Sequence, residues 1–141
     1  FSSYSFSIWA FPQEEYAQTL RAYYRFCEDY YQQTGYRCNL LNVGYSIAAD
    51  TQSLFSYTRR GPALTLDPVS TGSEGWEAFL EAYNVFCSAH NGIPLFNQTG
   101  SLTPEQAQRA FGPEIERFQM HRRTLDPHDR FYNDYFRLLF G

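Results

Sequence analysis

Four residues near the end of the chain could together bind a metal ion: His121, Asp126, His128 and Asp129. Imidazole and carboxylate groups are common ligands of divalent metals. Their spacing follows no regular metal-binding pattern, however, and the two arginines at positions 122 and 123 would repel a cation. We therefore interpret this group as the solvated end of a helix and predict no metal site.

The sequence lacks the usual arrangements of catalytic residues. Glu14 and Glu15 stand at the start of a predicted helix, where carboxylates stabilise the helix dipole, so they do not require a catalytic explanation. Residues 70–72 (Ser-Thr-Gly) lack the further glycines and the lysine of a phosphate-binding loop. With no nucleophile elbow and no Ser-His-Asp set, the chain is not expected to catalyse a reaction alone.

Polar residues on predicted strands are the remaining candidates. One long predicted strand is interrupted by Asn39, Asn42 and Tyr45, and a second ends in Asn97 and Gln98. Asparagine is disfavoured in strands, so its repetition indicates that these side chains have partners. Hydrogen bonding at strand ends and edges is one explanation and contact with a ligand is the other.

Hydrophobic periodicity predicts the elements that must position these residues. Helices are predicted at residues 13–33 and 73–90, and a third begins after the capping residue Thr103 and is interrupted at Pro113, with a further helix from there to about Thr124. Strands are predicted at 4–11, 36–49, 53–58, 63–67 and 93–99. This order predicts an α+β fold: a mainly antiparallel sheet with helices on one face, in a ferredoxin-like or cap-domain arrangement, and a C-terminal helical tail.

The two long helices share a sequence pattern. Residues 20–27 and 80–87 both read Leu-x-Ala-Tyr-x-x-Phe-Cys, at an offset of 60 positions. Internal duplication of a strand–helix–strand unit and convergence on the same core packing both explain the pattern. The side of the sheet away from the helices mixes apolar and polar residues, which suits a face that meets a ligand or another domain.

Composition excludes several classes of partner. The net charge is −4, and all 11 basic residues are arginines, which argues against binding to a phosphate backbone. No apolar run approaches the roughly 20 residues of a membrane span. The three cysteines match no zinc pattern. Cys27 and Cys87 fall on apolar helix faces and are interpreted as buried free thiols, which favours a cytoplasmic location, with secretion as the alternative. Because the chain starts at Phe1 without methionine, we expect a fragment or a processed chain.

The closing segment, residues 122–136, contains Arg122, then Asp126-Pro127, then Phe131, Asn133 and Tyr135 or Phe136. It resembles the C-terminus of FAD-linked oxidases of the vanillyl-alcohol oxidase superfamily, nearest the aldonolactone and alditol oxidase branch. Upstream, residues 47–50 (Ile-Ala-Ala-Asp) followed by 53–56 (Ser-Leu-Phe-Ser) are similar to two strands of that family.

The resemblance implies the C-terminal, substrate-side part of a flavoenzyme. Residues 1–124 would form the substrate (cap) domain, and 125–141 would return to an FAD-binding domain or chain that this sequence lacks. The aromatic residues of the tail would pack on that missing part. The cofactor would be FAD, accepting a hydride from a small-molecule substrate, and this chain alone would be inactive.

The resemblance also implies roles for particular residues. Tyr45 would accept or relay the substrate proton. Asn39, Asn97 and Gln98 would bind substrate, and Asn97 and Asn133 would contact the cofactor. The family's Glu-x-Arg pair aligns with Val43 and Tyr45, and its lysine with Gln98, so its known substrate class does not carry over. The alternative is a stand-alone ferredoxin-like module that binds a small ligand or dimerises.

Overall fold

The computed structural model describes residues 4–141 and confirms the predicted α+β class. Strands β1 (Ser5–Phe6) and β2 (Trp9–Pro12) lead into helix α1 (Tyr16–Thr34), and strands β3 (Ser46–Ile47), β4 (Ala63–Leu66) and β5 (Val69–Ser70) lead into α2 (Trp76–Ala89). Strand β6 (Ile93–Pro94), α3 (Pro104–Leu125) and α4 (Asp134–Phe140) follow. The main sheet has the order β3-β4-β2-β6 with every pairing antiparallel, and β1 pairs separately with β5. The chain order β2-α1-β3-β4-α2-β6 is that of the ferredoxin-like fold.

One face of the sheet packs against α1 and α2. Strand register places Trp9 opposite Leu66, so both side chains lie on this face, and the Trp9 indole donates to Asn84 of α2 at 3.0 Å. The Tyr83 hydroxyl of α2 donates to the Leu66 carbonyl. Trp9, Leu66 and Tyr83 are all buried, so this helix face forms the main core.

The repeated motifs of α1 and α2 pack against each other. The rings of Tyr23 and Phe86 lie 6.0 Å apart, and those of Phe26 and Tyr83 lie 6.4 Å apart. Tyr23 and Tyr83 occupy equivalent motif positions, and so do Phe26 and Phe86. Each of the two contacts is therefore the equivalent of the other. Phe26 and Phe86, which occupy equivalent motif positions, stack at 5.0 Å. Such reciprocal contacts are those of two antiparallel helices related by a local two-fold axis, as internal duplication would produce.

The opposite side of the sheet, called the second face below, carries the alternate residues of the same strands. Thr65 and Asp67 lie there, linked by a hydrogen bond of 3.0 Å from the Thr65 hydroxyl to Asp67 Oδ2. Val43 pairs with Asp67 across an isolated bridge, and Tyr45 and Ile47 follow Val43 at strand spacing. On this face Ala10, Thr65 and Asp67 are buried, whereas Val43 and Tyr45 at the β3 edge are exposed.

Of the five predicted strands, 53–58 is absent, 36–49 and 93–99 are much shorter than predicted, and 4–11 is split into β1 and β2. Of residues 36–49 only Ser46–Ile47 form a strand, and segment 53–58 consists of turns in which Ser53 and Ser56 accept bonds from Ser56 and Arg59. Strand 93–99 stops at Pro94, after which Gln98 donates to Leu95 in a turn. Asparagine, serine and glycine in these segments favour turns over ladders, whatever the alternation of their neighbours.

Helix α3 carries the predicted start and the predicted interruption. The Thr103 hydroxyl accepts from the Gln106 amide, and the Gln106 side chain accepts from the Thr103 amide, which forms a complete capping box. Phe111 has non-helical dihedral angles two residues before Pro113, so the axis bends there. The bend turns the second half of α3 toward the tail.

The tail folds back on its own chain. Tyr132 and Leu139 are buried, and the Phe136 and Phe140 rings lie 6.2 and 5.7 Å from Phe118 of α3. Arg122 forms an ion pair with Asp129, and Arg137 contacts the same carboxylate. Phe131 remains 87% exposed, so one tail ring is left free while Tyr132 and Phe136 are used internally.

Candidate functional site

A cleft of about 750 Å³ lies where β1, the segment after β6 and helix α4 meet. The segment after β6 is fixed by a bond from the Ile8 amide to the Gln98 carbonyl (3.3 Å) and another from the Thr99 hydroxyl to the Ile8 carbonyl (2.7 Å). The Tyr135 hydroxyl donates to the Phe96 carbonyl at 2.8 Å, which ties α4 to the same segment. The cleft is lined by Tyr4, Ser5, Phe6, Phe96, Asn97, Gln98, Thr99, Gly100, Asn133, Tyr135 and Phe136.

Three of the residues predicted to bind substrate or cofactor meet in this cleft. Asn97 is exposed and Gln98 half-buried, and neither side-chain amide has a hydrogen-bond partner within residues 4–141. Asn133 caps α4: its side-chain oxygen accepts from the Phe136 amide at 3.0 Å. Capping gives Asn133 a structural function and leaves its side-chain NH₂ group facing other partners.

Two other predicted residues lie outside the cleft. Tyr45 is 57% exposed on the second face, and its backbone amide donates to the Thr65 hydroxyl at 3.0 Å. Asn39 exchanges two hydrogen bonds with Thr71, one of 2.7 Å from its side-chain NH₂ and one of 3.2 Å to its side-chain oxygen. These bonds join two loops, so Asn39 has protein partners, although it does not lie at a strand end or edge as predicted.

Asp67, the last residue of the predicted strand 63–67, is a buried carboxyl group for which the sequence predicted no function. It is 2% exposed, and its Oδ1 atom has no hydrogen-bond partner in the described part of the chain. Burial raises the pKa of Asp67 to about 7, against the opposing effect of the hydrogen bond from Thr65. A carboxyl group with this pKa can accept or release a proton near neutral pH. The alternation Ala63-Leu-Thr-Leu-Asp67 placed it on the second face, but only the fold showed that it is buried.

A hydrogen-bond chain connects Asp67 with the candidate Tyr45. The Tyr45 amide donates to the Thr65 hydroxyl, which in turn donates to Asp67 Oδ2. Val43, the bridge partner of Asp67, is exposed beside Tyr45. The second face thus combines an exposed phenol with a buried acid held by the same threonine.

Among the described residues, the cysteines and the His, Asp and Glu side chains elsewhere do not form a further site. Burial raises the pKa of the Cys38 thiol to about 12, and all three cysteines are free. Within residues 4–141, no group of three or more His, Cys, Asp or Glu side chains is placed to hold a metal ion. None of the helices in that range is both long and apolar enough to cross a membrane.

Comparison of the sequence with protein-family models gave no match. A search of curated proteins also gave no significant relative.

Proposed function

We propose that this chain is the substrate-side part of an FAD-dependent oxidoreductase and works together with an FAD-binding domain or chain. In this proposal the second face and the cleft cover the flavin and shape the pocket for a small-molecule substrate. The observation that carries it is the convergence of Asn97, Gln98 and Asn133 in one cleft, together with the exposed part of the second face at Val43 and Tyr45. The closing motif at residues 122–136 adds independent support.

The residues present fit the ring system of a flavin better than its diphosphate. Phe6, Val43 and Tyr45 offer exposed apolar and aromatic surface, and the cleft amides offer hydrogen-bond donors and acceptors for the polar edge of a flat ring. No arginine lies among the described residues of the cleft, so the diphosphate would be bound by the FAD-binding part. Bound FAD would supply the acceptor for a hydride from the substrate.

This chain would contribute orientation and a proton acceptor. Asn97 and Gln98 would orient the substrate, and Asn133 would contact the cofactor from the start of α4. Tyr45 would accept the proton released from a substrate hydroxyl group as a phenolate, or would relay it as a hydroxyl that passes its own proton to solvent. Asp67 would hold the Tyr45 backbone through Thr65, and aromatic residues from the tail would limit the access of water.

The free thiols favour a reducing compartment for this oxidoreductase. Cys27 and Cys38 are only half-buried, and an oxidising environment would expose them to modification. We therefore place the protein in the cytoplasm, with secretion as the alternative.

A second candidate is a ferredoxin-like module that binds a small ligand or dimerises without enzymatic activity. It is favoured by the tail, since Tyr132 and Phe136 pack on this chain's own Phe118 and need no external domain. In this case the exposed β3 edge of the second face, at Val43 and Tyr45, would meet solvent or a second copy. The two proposals differ in whether a flavin-bearing partner covers that face.

Hydroxyl-radical footprinting of the native protein tests whether the second face is covered. Tyr45 on the second face and Tyr24 on α1 are similarly exposed in this chain, at 57% and 66%, so they form a matched pair. If an FAD-binding part lies on the second face, Tyr45 is modified several-fold more slowly than Tyr24. Equal rates for the two tyrosines would contradict the proposal.

A further inference from the structure

The cleft combines aromatic rings and amides and lacks charge. Phe96, Tyr135 and Phe136 supply aromatic surface on one side, and Asn97, Gln98 and Asn133 supply polar groups. Among its described lining residues there is no arginine, histidine, aspartate or glutamate side chain. The described lining residues therefore lack the arginine or lysine side chains that charge an anion-binding site. The seven-residue helix α4 starts on the wall of the cleft, where Asn133 caps it.

The polar groups of the cleft suit a neutral ligand. The Asn97 and Gln98 amides each offer a donor and an acceptor with no partner in the described chain, and Asn133 offers its NH₂ group. A neutral group such as an amide, hydroxyl or carbonyl can satisfy them. A carboxylate or phosphate would lose hydration without gaining a counter-charge, which is costly.

We propose that the cleft binds an uncharged ligand that has a flat apolar ring and one neutral hydrogen-bonding group. The volume of about 750 Å³ lies in the range of small-molecule sites, roughly 300–1,000 Å³. The class of ligand follows from the lining of the cleft, whereas calling that ligand a substrate rests on the proposed function. On that basis the enzyme's substrates are neutral molecules, and carboxylates and phosphate esters are excluded.

Benzamide and benzoate provide a matched pair of probes, because they differ in charge and hardly in shape. We expect the native protein at neutral pH to bind benzamide at least about tenfold more tightly than benzoate, as judged by titration calorimetry or ligand-observed NMR. Gln98→Arg places a guanidinium group in the cleft and is expected to reverse this preference. Gln18→Arg adds the same charge on the exposed surface of α1 and should leave the preference unchanged.

Each outcome of the titration decides the proposal. Tighter binding of benzamide that Gln98→Arg reverses and Gln18→Arg does not would support it. Equal binding of the two probes, tighter binding of benzoate, or binding of neither would overturn it. Flavin absorbance of the same sample reports separately on the oxidoreductase, so a flavin-containing protein that fails the titration rejects the ligand class alone.

Discussion

Asp67→Asn is expected to stabilise the protein at pH 8 and to leave its stability almost unchanged at pH 4. The pKa of Asp67 is about 7 in the fold, against an ordinary value of 3.8. Between these values the unfolded chain loses a proton that the folded chain keeps, so the native protein becomes less stable as pH rises, by about 1.4 kcal/mol per pH unit. This loss of stability is complete above about pH 7, and below about pH 4 there is none. Asparagine is close in shape, keeps an acceptor for the Thr65 hydroxyl and carries no charge.

Urea denaturation at pH 5, 6, 7 and 8 measures this effect as the difference in the free energy of unfolding between the two proteins. The free energy of unfolding of Asp67→Asn should exceed that of the wild type by an amount that grows with pH and reaches a few kcal/mol at pH 8. Asp50→Asn is a control that should destabilise the protein rather than stabilise it. Hydrogen bonds from the backbone amides of Ser53 and Gln52 lower the pKa of Asp50. Its carboxylate stabilises the fold above the unfolded pKa and loses that effect as pH falls. Parallel stability curves for wild type and Asp67→Asn would show that Asp67 is ionised and solvated in the fold.

Leu139→Ala is expected to lower the free energy of unfolding by about 2–5 kcal/mol, the cost of a cavity at a buried leucine. Leu139 is 3% exposed and belongs to the main hydrophobic core, although it lies two residues from the end of the described chain. Leu138→Ala in the same helix α4 removes the same atoms from a side chain that is 66% exposed. It should change stability by no more than about 0.5 kcal/mol.

The pair Leu138 and Leu139 distinguishes two views of the tail. A large effect at Leu139 alone means that α4 completes the core of this chain. Similar small effects at both positions, measured by the same denaturation experiment, would mean that the tail does not pack here. In the proposed enzyme, Leu125, Phe131 and Leu138 are exposed tail side chains that could contact an FAD-binding part.

The helices could be predicted because their signals are local. Periodic aromatic and apolar residues define α1 and α2, and Thr103 and Pro104 define the start of α3. Segment 36–49 could not be predicted, since alternation there resembled a strand while Asn39 and Asn42 were used as hydrogen-bond partners of Thr71 and Tyr23. Whether a segment pairs as a strand depends on a neighbour that the sequence does not identify.

The candidate site, too, could be predicted only in part, because it depends on contacts between segments far apart in the sequence. Asn97, Gln98 and Asn133 were each predicted as ligand contacts, but their proximity depends on how the tail folds across the segment after β6. Asp67 carried a sequence signal in its alternation with Ala63 and Thr65. Its burial and its raised pKa arise from packing around β4, which no spacing along the chain reveals.

The central claim is that a flavin-bearing part accompanies this chain, and co-elution tests it most directly. The native protein is separated by size, each fraction is measured for absorbance near ~450 nm, and mass spectrometry identifies the chains present. The proposal predicts that the flavin absorbance elutes together with peptides of this chain, in material larger than 16.5 kDa. A folded, colourless protein of the size of this chain, eluting with no other polypeptide, would contradict it and favour the stand-alone module.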